Sequence, residues 1–232
     1  VAVPAAASEA PLDDAAELDR TVVVGSREKA LETAGSAHYV GPEELAAFDY
    51  SDAQRVLRQV PGVYLVDEEG FGLRPNIGIR GSGTDRNSRI TVMEDGVLIA
   101  PAAYAAPAAY YFPTMQRMTA VEVRKGSASI RSGPRTTGGV VNFVSTAIPD
   151  RPLAGKAQVL FGADSTLQGH GWAGGTLDNG LGWLLETVQQ ATDGYKRLDG
   201  GGDTGYDLQD WRVRLGWSST DPSAPRQRIE LK

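Results

Sequence analysis

A strict alternation of apolar and charged side chains is the most constraining feature of this sequence. The stretch is QDWRVRLGWSS, residues 209–219. Its apolar positions are Trp211, Val213, Leu215 and Trp217, and charged residues lie between them at Asp210, Arg212 and Arg214. Successive side chains of a β-strand point to opposite faces. The stretch therefore predicts a long strand with one apolar face and one charged face.

Three similar segments of about ten residues come before it, namely AGKAQVLFGA, QGHGWAGGTLD and LGWLLETVQQ, and RQRIELK begins another. Asn179-Gly180 predicts a two-residue hairpin, whereas the next connection, residues 191–208, is long and polar. Tight turns that alternate with long loops are typical of an outer-membrane β-barrel. On these residues alone, a soluble β-sandwich is an equal alternative.

The preceding region, residues 28–149, mixes short helix and strand signals. Pro42 suits a first helical turn, and Ser51 is a candidate N-cap for a second helix. Strand candidates follow in VYLVD, IGIRG, RITVMEDG, AVEVRKG and GGVVNFVST, and Asp95-Gly96 predicts a tight turn. This mixture indicates a compact α+β domain.

Composition excludes several classes of function. The net charge of −6 argues against a nucleic-acid partner, and the absence of Cys rules out thiolate metal sites and disulfides. His38 and His170 have no partners at metal-ligand spacing. No set of nucleophile, base and oxyanion donors emerges, so an enzyme is the weakest interpretation and no catalytic residue is predicted.

The first 27 residues form a separate territory. Residues 1–20 hold five acidic residues and one basic residue, Arg20, without periodicity, which predicts a flexible acidic arm. The arm ends in the β-prone run Thr21 to Val24. An unpaired strand of this kind can add to the sheet edge of a partner protein.

Two longer motifs resemble those of a known protein family. IRGSGTDRNSRITVMEDGV (residues 79–97) and VEVRKGSASIRSGPRTTGGVVNFVST (residues 121–146) resemble the two plug signatures of TonB-dependent outer-membrane receptors. LDRTVVVGSR lies where the TonB box of that family is found. Within the family, GGVVNFVSTAIP and YAAPAAYYFP are similar to ferric-citrate receptors.

The resemblance implies a fold class and a domain plan. A flexible arm with the TonB box covers residues 1–27, and an α+β plug domain with a mixed sheet and short helices covers residues 28–149. Residues 150–232 supply the first four to five antiparallel strands of a transmembrane β-barrel. Because such receptors close a barrel of roughly 22 strands, we expect the sequence to be a fragment or a truncated gene model of a longer receptor.

The resemblance also assigns roles to residues. The TonB box is expected at Leu18, Asp19, Arg20, Thr21, Val22, Val23 and Val24. Ligand contacts from apical plug loops are expected at Arg74, Thr84, Asp85, Arg86, Asn87, Tyr104 and Tyr110. Arg80 and Lys125 are expected to hold the plug through barrel acids beyond Lys232. The alternatives are a solvated loop for Asp85 and Arg86 and plug–barrel packing for the tyrosines.

The function that the resemblance implies is TonB-dependent active transport across the outer membrane of a Gram-negative bacterium. The cargo is expected to be iron(III) citrate or another carboxylate siderophore, because a guanidinium fork matches carboxylate geometry. Iron would arrive as a chelate, so neither a cofactor nor a protein metal site is predicted. The expected partners are TonB, with its inner-membrane energising complex, and outer-membrane lipid.

Two alternatives stay open. One is a receptor for a different cargo, such as a hydroxamate siderophore, haem or cobalamin. The other, from a different class, is a calcium-stabilised surface adhesion or structural β-protein. That second alternative rests on Asp199, Asp203 and Asp207, which recur at intervals of four among glycines.

Overall fold

The computed structural model describes residues 22–33, 35–99, 111–133, 135–220 and 227–232. Two five-stranded sheets and a two-stranded pair make up its β structure. Three short α-helices accompany the first sheet: α1 (Arg27–Glu32), α2 (Pro42–Phe48) and α3 (Ala53–Leu57). None of the helices in the described residues is long and apolar enough to cross a membrane.

The first sheet has the strand order β1-β6-β7-β4-β5. Its strands are β1 (Ser36–Val40), β4 (Ile90–Glu94), β5 (Val97–Leu98), β6 (Met118–Lys125) and β7 (Gly139–Ser145). Strands β4 and β7 are parallel, and the other neighbours are antiparallel. The predicted mixed sheet with short helices is confirmed.

A separate antiparallel pair, β2 (Val63–Val66) and β3 (Asn76–Ile79), packs beside this sheet. The two strands are joined by the loop of residues 67–75. Buried side chains from α3, β3 and the first sheet form one core, which includes Leu57, Ile77, Ile79, Val121 and Phe143 at 0% exposure. Each such side chain contributes about 1.5–3 kcal/mol through burial.

The local signals were mostly interpreted correctly. Helix α2 begins at Pro42, as predicted, and Asp95 and Gly96 both have positive φ in the tight turn between β4 and β5. The N-cap of α3 is Asp52 rather than Ser51, because the Asp52 carboxylate accepts a hydrogen bond from the Gln54 N–H at 2.6 Å. Helix α1 and strand β1 were not predicted.

The second sheet is antiparallel throughout, with its strands in sequence order. They are β8 (Ala154–Phe161), β9 (Leu167–Thr176), β10 (Leu181–Thr192), β11 (Tyr206–Ser218) and β12 (Arg228–Leu231). The connection through Asn179 and Gly180 is one residue longer than predicted, since Leu177 N–H bonds to Leu181 O at 2.8 Å. Four strands and the beginning of a fifth are therefore confirmed.

The alternation along β11 has the predicted consequence. Its apolar side chains point away from the first sheet and are exposed, with Trp211 at 65%, whereas Arg212 and Arg214 face the first sheet and are buried. An outward apolar face beside an inward polar face is the pattern of a membrane barrel strand. The strands thus enclose one side of the N-terminal domain, residues 28–149.

Candidate functional site

Charged side chains join the N-terminal domain to the strands across a buried interface. We call them the interface cluster: Glu94, Asp95 and Arg117 on the domain, and Glu186, Asp210, Arg212 and Arg214 on the strands. Arg117 pairs with Glu94 through its NH1 at 2.5 Å and its NH2 at 3.2 Å. Its Nε–H donates to Asp210 Oδ2 at 2.7 Å, so one guanidinium links both bodies.

Arg212 extends the cluster along β11 into β10. Its NH2 lies 2.8 Å from Glu186 Oε2 and also donates to the Thr146 carbonyl at 2.8 Å. The other Glu186 oxygen accepts from Thr146 Oγ1 at 2.8 Å and lies 3.1 Å from His170 Nε2. The end of β7 is therefore bound through both backbone and side chain.

Arg214, 1% exposed, completes the cluster at the Asp95-Gly96 turn. Its NH2 pairs with Asp95 Oδ2 and donates to Ser145 Oγ, and its NH1 donates to the Thr146 carbonyl at 3.0 Å. Lys232 Nζ lies 2.6 Å from Asp95 Oδ2 and 2.7 Å from Glu94 Oε1. Glu94 at the end of β4 and Asp95 in the following turn are thus both paired with cations of the second sheet and its C-terminal end.

This pairing sets the charge state of the acids. Burial alone would raise the pKa of Glu94, but its hydrogen bond to Arg117 and the positive charges of Arg117 and Lys232 lower it to about 2. Burial likewise opposes ionisation of Asp95, yet the Arg214 charge and the bonds from Lys232 and Ser145 hold its pKa well below the usual range. Both carboxylates are therefore ionised at neutral pH.

Several loops meet at one end of the molecule. Phe71, in the loop 67–75, makes edge contacts with Tyr195 at 5.6 Å and Tyr206 at 5.0 Å between ring centroids. Tyr195 lies in the long connection 193–205 between β10 and β11, and Tyr206 is the first residue of β11. We call this end the loop end.

The loop of the first motif joins the same end. Arg86 N–H donates to Asn76 Oδ1 at 3.1 Å, which fixes the loop beside the start of β3. The Arg86 side chain is exposed, and no described residue hydrogen-bonds its guanidinium. Its φ of 43° lies in the left-handed region. This geometry presents a cation at the surface of the loop end.

Asn87 differs from its neighbour. Its side chain is 1% exposed, accepts from Ile77 N–H at 2.5 Å and donates to the Pro75 carbonyl at 3.0 Å. Both ends of the amide are therefore engaged within the domain. In this arrangement Asn87 positions the loop that carries Arg86, and its expected contact with ligand stays a prediction.

The other expected ligand residues are distributed as follows. Arg74 and Asp85 are exposed, Thr84 is half-buried, and Arg74 N–H donates to Glu69 Oε1 at 2.8 Å. Through Pro75 and Asn87 the segments that bear Arg74 and Arg86 are neighbours. Tyr104 and Tyr110 lie outside the described residues.

Arg80 and Lys125 lie close together at the Pro61-Gly62 corner. Arg80 N–H donates to the Gly62 carbonyl at 2.9 Å, and Lys125 Nζ donates to the Pro61 carbonyl. Burial and then the Arg80 charge lower the pKa of Lys125. No carboxylate in the described part of the chain pairs with either cation, and their expected partners in the barrel stay a prediction.

The end of the expected TonB box is packed against the domain. Val23 and Val24 are 9% and 5% exposed and contact Met93 and Val140, whereas Val22 is half exposed. The backbone N–H groups of Val23 and Gly25 donate to the Glu122 carboxylate. The sequence suggested a mobile strand here, but the two buried valines dock on the first sheet instead. Leu18 to Thr21 lie outside the described residues.

No group of three or more potential metal-ligating side chains converges anywhere in the described ranges. Asp199, Asp203 and Asp207 fall within those ranges and do not form such a group.

Comparison with known proteins gives these features a context. Residues 29–140 match the family described as TonB-dependent Receptor Plug Domain. The solved structure of the ferric citrate transporter FecA in its unliganded form is similar over 85% of this chain, with 26% identity and a TM-score of 0.65. Residues 29–140 therefore form a plug domain of the TonB-dependent receptor family. Members of this family are outer-membrane transporters of Gram-negative bacteria, not enzymes.

Two further receptors of known structure share the fold of this chain. The siderophore receptor PirA from Pseudomonas aeruginosa is 21% identical over 82% of the chain, with a TM-score of 0.60. The ferric yersiniabactin uptake receptor FyuA from Yersinia pestis is 19% identical over 81%, with a TM-score of 0.61. The chain covers 30%, 33% and 29% of FecA, PirA and FyuA, respectively.

Sequence reasoning missed most of the interface cluster. Asp210, Arg212 and Arg214 were recognised as one face of a strand, but their partners Glu94, Arg117 and Glu186 were not singled out. Arg117 and Asp210 are 93 residues apart in sequence. The available signal was the charge on an inward strand face, which requires countercharges on whatever the strand covers.

Proposed function

We propose that this chain is the plug and the first barrel strands of a receptor that imports a ferric chelate across the outer membrane with energy supplied through TonB. The proposed ligand is iron(III) citrate or another carboxylate siderophore. One observation carries the ligand class: Arg86 is an exposed guanidinium, fixed by its backbone at the loop end, with no anionic partner among the described residues.

The chemistry of Arg86 suits a carboxylate-rich chelate. A guanidinium presents a planar fork of N–H donors and keeps its charge at every physiological pH. Charge-assisted bonds to carboxylates are roughly twice as strong as neutral hydrogen bonds. Arg74, on the neighbouring segment, adds a second exposed cation. Together the two arginines favour a multivalent anion.

The rest of the loop end supports this role. Asn87 fixes the backbone on one side of Arg86, and Asn76 holds its N–H, so the loop backbone loses little conformational freedom when a ligand binds. Phe71 ties the neighbouring plug loop to Tyr195 of the strand connection. Ligand that touches these loops therefore acts on both the plug and the strands.

A binding titration of the full-length receptor in detergent tests the ligand assignment. Ferric citrate is added while tryptophan fluorescence is followed, for wild type and Arg86→Gln. Removing one charge-assisted contact should weaken binding by about tenfold or more. Arg151→Gln is the matched control, because Arg151 is exposed and lies beside the short turn at the opposite end of the strands.

The outcomes separate the alternatives. Saturable ferric-citrate binding that Arg86→Gln weakens and Arg151→Gln does not supports the proposal. If only a hydroxamate chelate binds, the cargo is a different one, and Arg86 is interpreted as part of a solvated loop without ligand contact. Binding of no chelate, combined with stabilisation of the receptor by calcium, favours the adhesion alternative.

A further inference from the structure

A single buried carboxylate holds residues 22–25, which comprise the end of the expected TonB box and the glycine after it. We call these residues the coupling segment. Glu122, on β6, is 1% exposed. Its Oε2 accepts from Val23 N–H at 3.0 Å, and its Oε1 accepts from Gly25 N–H at 2.6 Å. Each carboxylate oxygen thus holds one backbone group of the segment, and the bonds are charge-assisted.

Packing around this contact is uneven. Val23 and Val24 are buried against Met93 and Val140, but Val22 is 54% exposed and borders a cavity of about 150 Å³. The Val22 side chain therefore contributes little to the packing, while the adjacent backbone is fixed by the bond from Val23 N–H to Glu122. The grip on the segment comes chiefly from two valine side chains and the Glu122 carboxylate.

Glu122 is also connected to the interface cluster. Asn142 Nδ2 donates to Glu122 Oε2 at 2.8 Å, and Asn142 Oδ1 accepts from Gly96 N–H at 2.9 Å. Gly96 follows Asp95, whose carboxylate pairs with Arg214 of β11. A continuous series of polar contacts thus runs from Val23 to a barrel strand.

We propose that Glu122 retains the coupling segment by occupying the backbone N–H groups that a partner strand needs, so that the plug and TonB compete for one strand edge. The inference rests on the proposed TonB coupling. In an extended chain, the N–H groups of residues two apart lie on one edge, which is the edge used when a peptide adds to a partner sheet. Val23 and Gly25 have this spacing.

The competition has a consequence for regulation. While the Glu122 carboxylate holds both N–H groups, that edge of the segment is closed to strand addition. Movement of the Asp95-Gly96 turn would pull on Asn142 and loosen the hold of Glu122. The interface cluster is thereby a route from the barrel strands to the coupling segment, through one two-state contact.

Label mobility in the full-length receptor tests the grip directly. The 232 residues contain no Cys, so Val22→Cys provides a site for a spin label. Glu122→Gln keeps the side-chain shape but replaces one acceptor oxygen with an NH₂ group that faces a backbone N–H. The label should become mobile in Glu122→Gln and stay restricted in Glu43→Gln, an exposed glutamate on α2.

A second variant acts on the donor instead of the carboxylate. Val23→Pro removes the N–H of Val23 and leaves Glu122 in place, so it should also mobilise the label. If Glu122→Gln fails to fold, Val23→Pro decides the question alone. A label that stays restricted in a folded receptor with either substitution overturns the proposal.

Affinity for the purified TonB C-terminal domain gives a separate readout, measured without chelate. Loss of about one charge-assisted bond should tighten TonB binding to Glu122→Gln by about tenfold. Equal affinity for wild type and Glu122→Gln overturns the competition. If neither protein binds TonB, the proposed TonB coupling fails and the competition with it, whereas label mobility still reports whether Glu122 grips the segment.

Discussion

Arg117 of the plug donates its Nε–H to Asp210 of strand β11 at 2.7 Å, and this bond crosses the interface between the plug and the barrel strands. The same guanidinium pairs with Glu94, so its three nitrogens are all engaged by acids or by the Tyr111 hydroxyl. Displacement of the plug from the strands therefore requires that this bond be broken.

Substitution of Arg117 by Ala should strongly destabilise the seated plug. Glu94 would lose its principal countercharge inside the interface, and removal of one partner of a buried pair costs about 3–5 kcal/mol. The loss of stability is measured by urea unfolding of the full-length receptor in detergent, with hydrogen exchange of the plug amides as the readout. Arg55→Ala is the control, since the Arg55 side chain is 65% exposed and such surface pairs contribute about 0–1 kcal/mol. Equal effects of both substitutions would contradict the assignment.

Acid should weaken the same interface in a defined window. The pKa of Glu94 is lowered from 4.5 to about 2, so its pairing stabilises the folded state above about pH 4.5 and is lost as pH falls towards 2. This shift corresponds to a stabilisation on the order of 3 kcal/mol at neutral pH. The difference in urea midpoint between wild type and Glu94→Gln should therefore narrow from pH 7 to pH 3. A difference that does not change with pH would show that Glu94 is not paired in this way.

Substitutions at two neighbouring residues of the first motif should affect different properties, one the stability of the receptor and the other its binding of chelate. Asn87→Ala removes a buried amide that holds Ile77 and Pro75, which should cost about 1–3 kcal/mol of stability. Arg86→Gln alters an exposed side chain and should leave the unfolding midpoint unchanged while weakening chelate binding. Thermal unfolding of both variants, beside the titration, makes the comparison. Unfolding of Asn87→Ala at the wild-type temperature would contradict a positioning role.

A charged side chain on the outward face of β11 should destabilise the protein in a membrane. Val213→Lys places an ammonium on the apolar face, where the cost near the bilayer midplane is about 2–4 kcal/mol. Gly200→Lys is the control, because Gly200 lies in the polar connection with open space around it. Folding yield in lipid vesicles should fall for Val213→Lys alone. Equal yields would mean that this face does not contact lipid.

Individual helices, strands and turns could be predicted from the sequence wherever a few neighbouring residues determine the element. The alternation in β11, Pro42 at the start of α2 and the Asp95-Gly96 turn all depend on neighbouring residues, and all three predictions are confirmed. The cap of α3 was placed one residue early, since Ser51 and Asp52 both carry suitable acceptors. Helix α1 is only six residues long and has no buried side chain, so its apolar pattern is too weak to detect.

The interface cluster could not be predicted because its pairs join residues far apart in the chain. Glu94 appeared only within the strand candidate RITVMEDG and the first plug motif, and its partners Arg117 and Arg212 are identifiable only once the strands are placed. The docking of Val23 on Glu122 was missed for the same reason, since 99 residues separate them. Charge on the inward face of β11 indicated that partners exist, but not which ones.

Uptake of radioactive iron from ferric citrate is the most direct test of the central claim. Cells that express the full-length receptor are compared with cells in which residues 18–24 are replaced by a Gly/Ser sequence of equal length. Replacement of residues 8–14 in the same way is the control. We expect uptake to be lost only with the first replacement, while purified receptor still binds ferric citrate. Undiminished uptake without residues 18–24 would contradict TonB-coupled transport by this receptor.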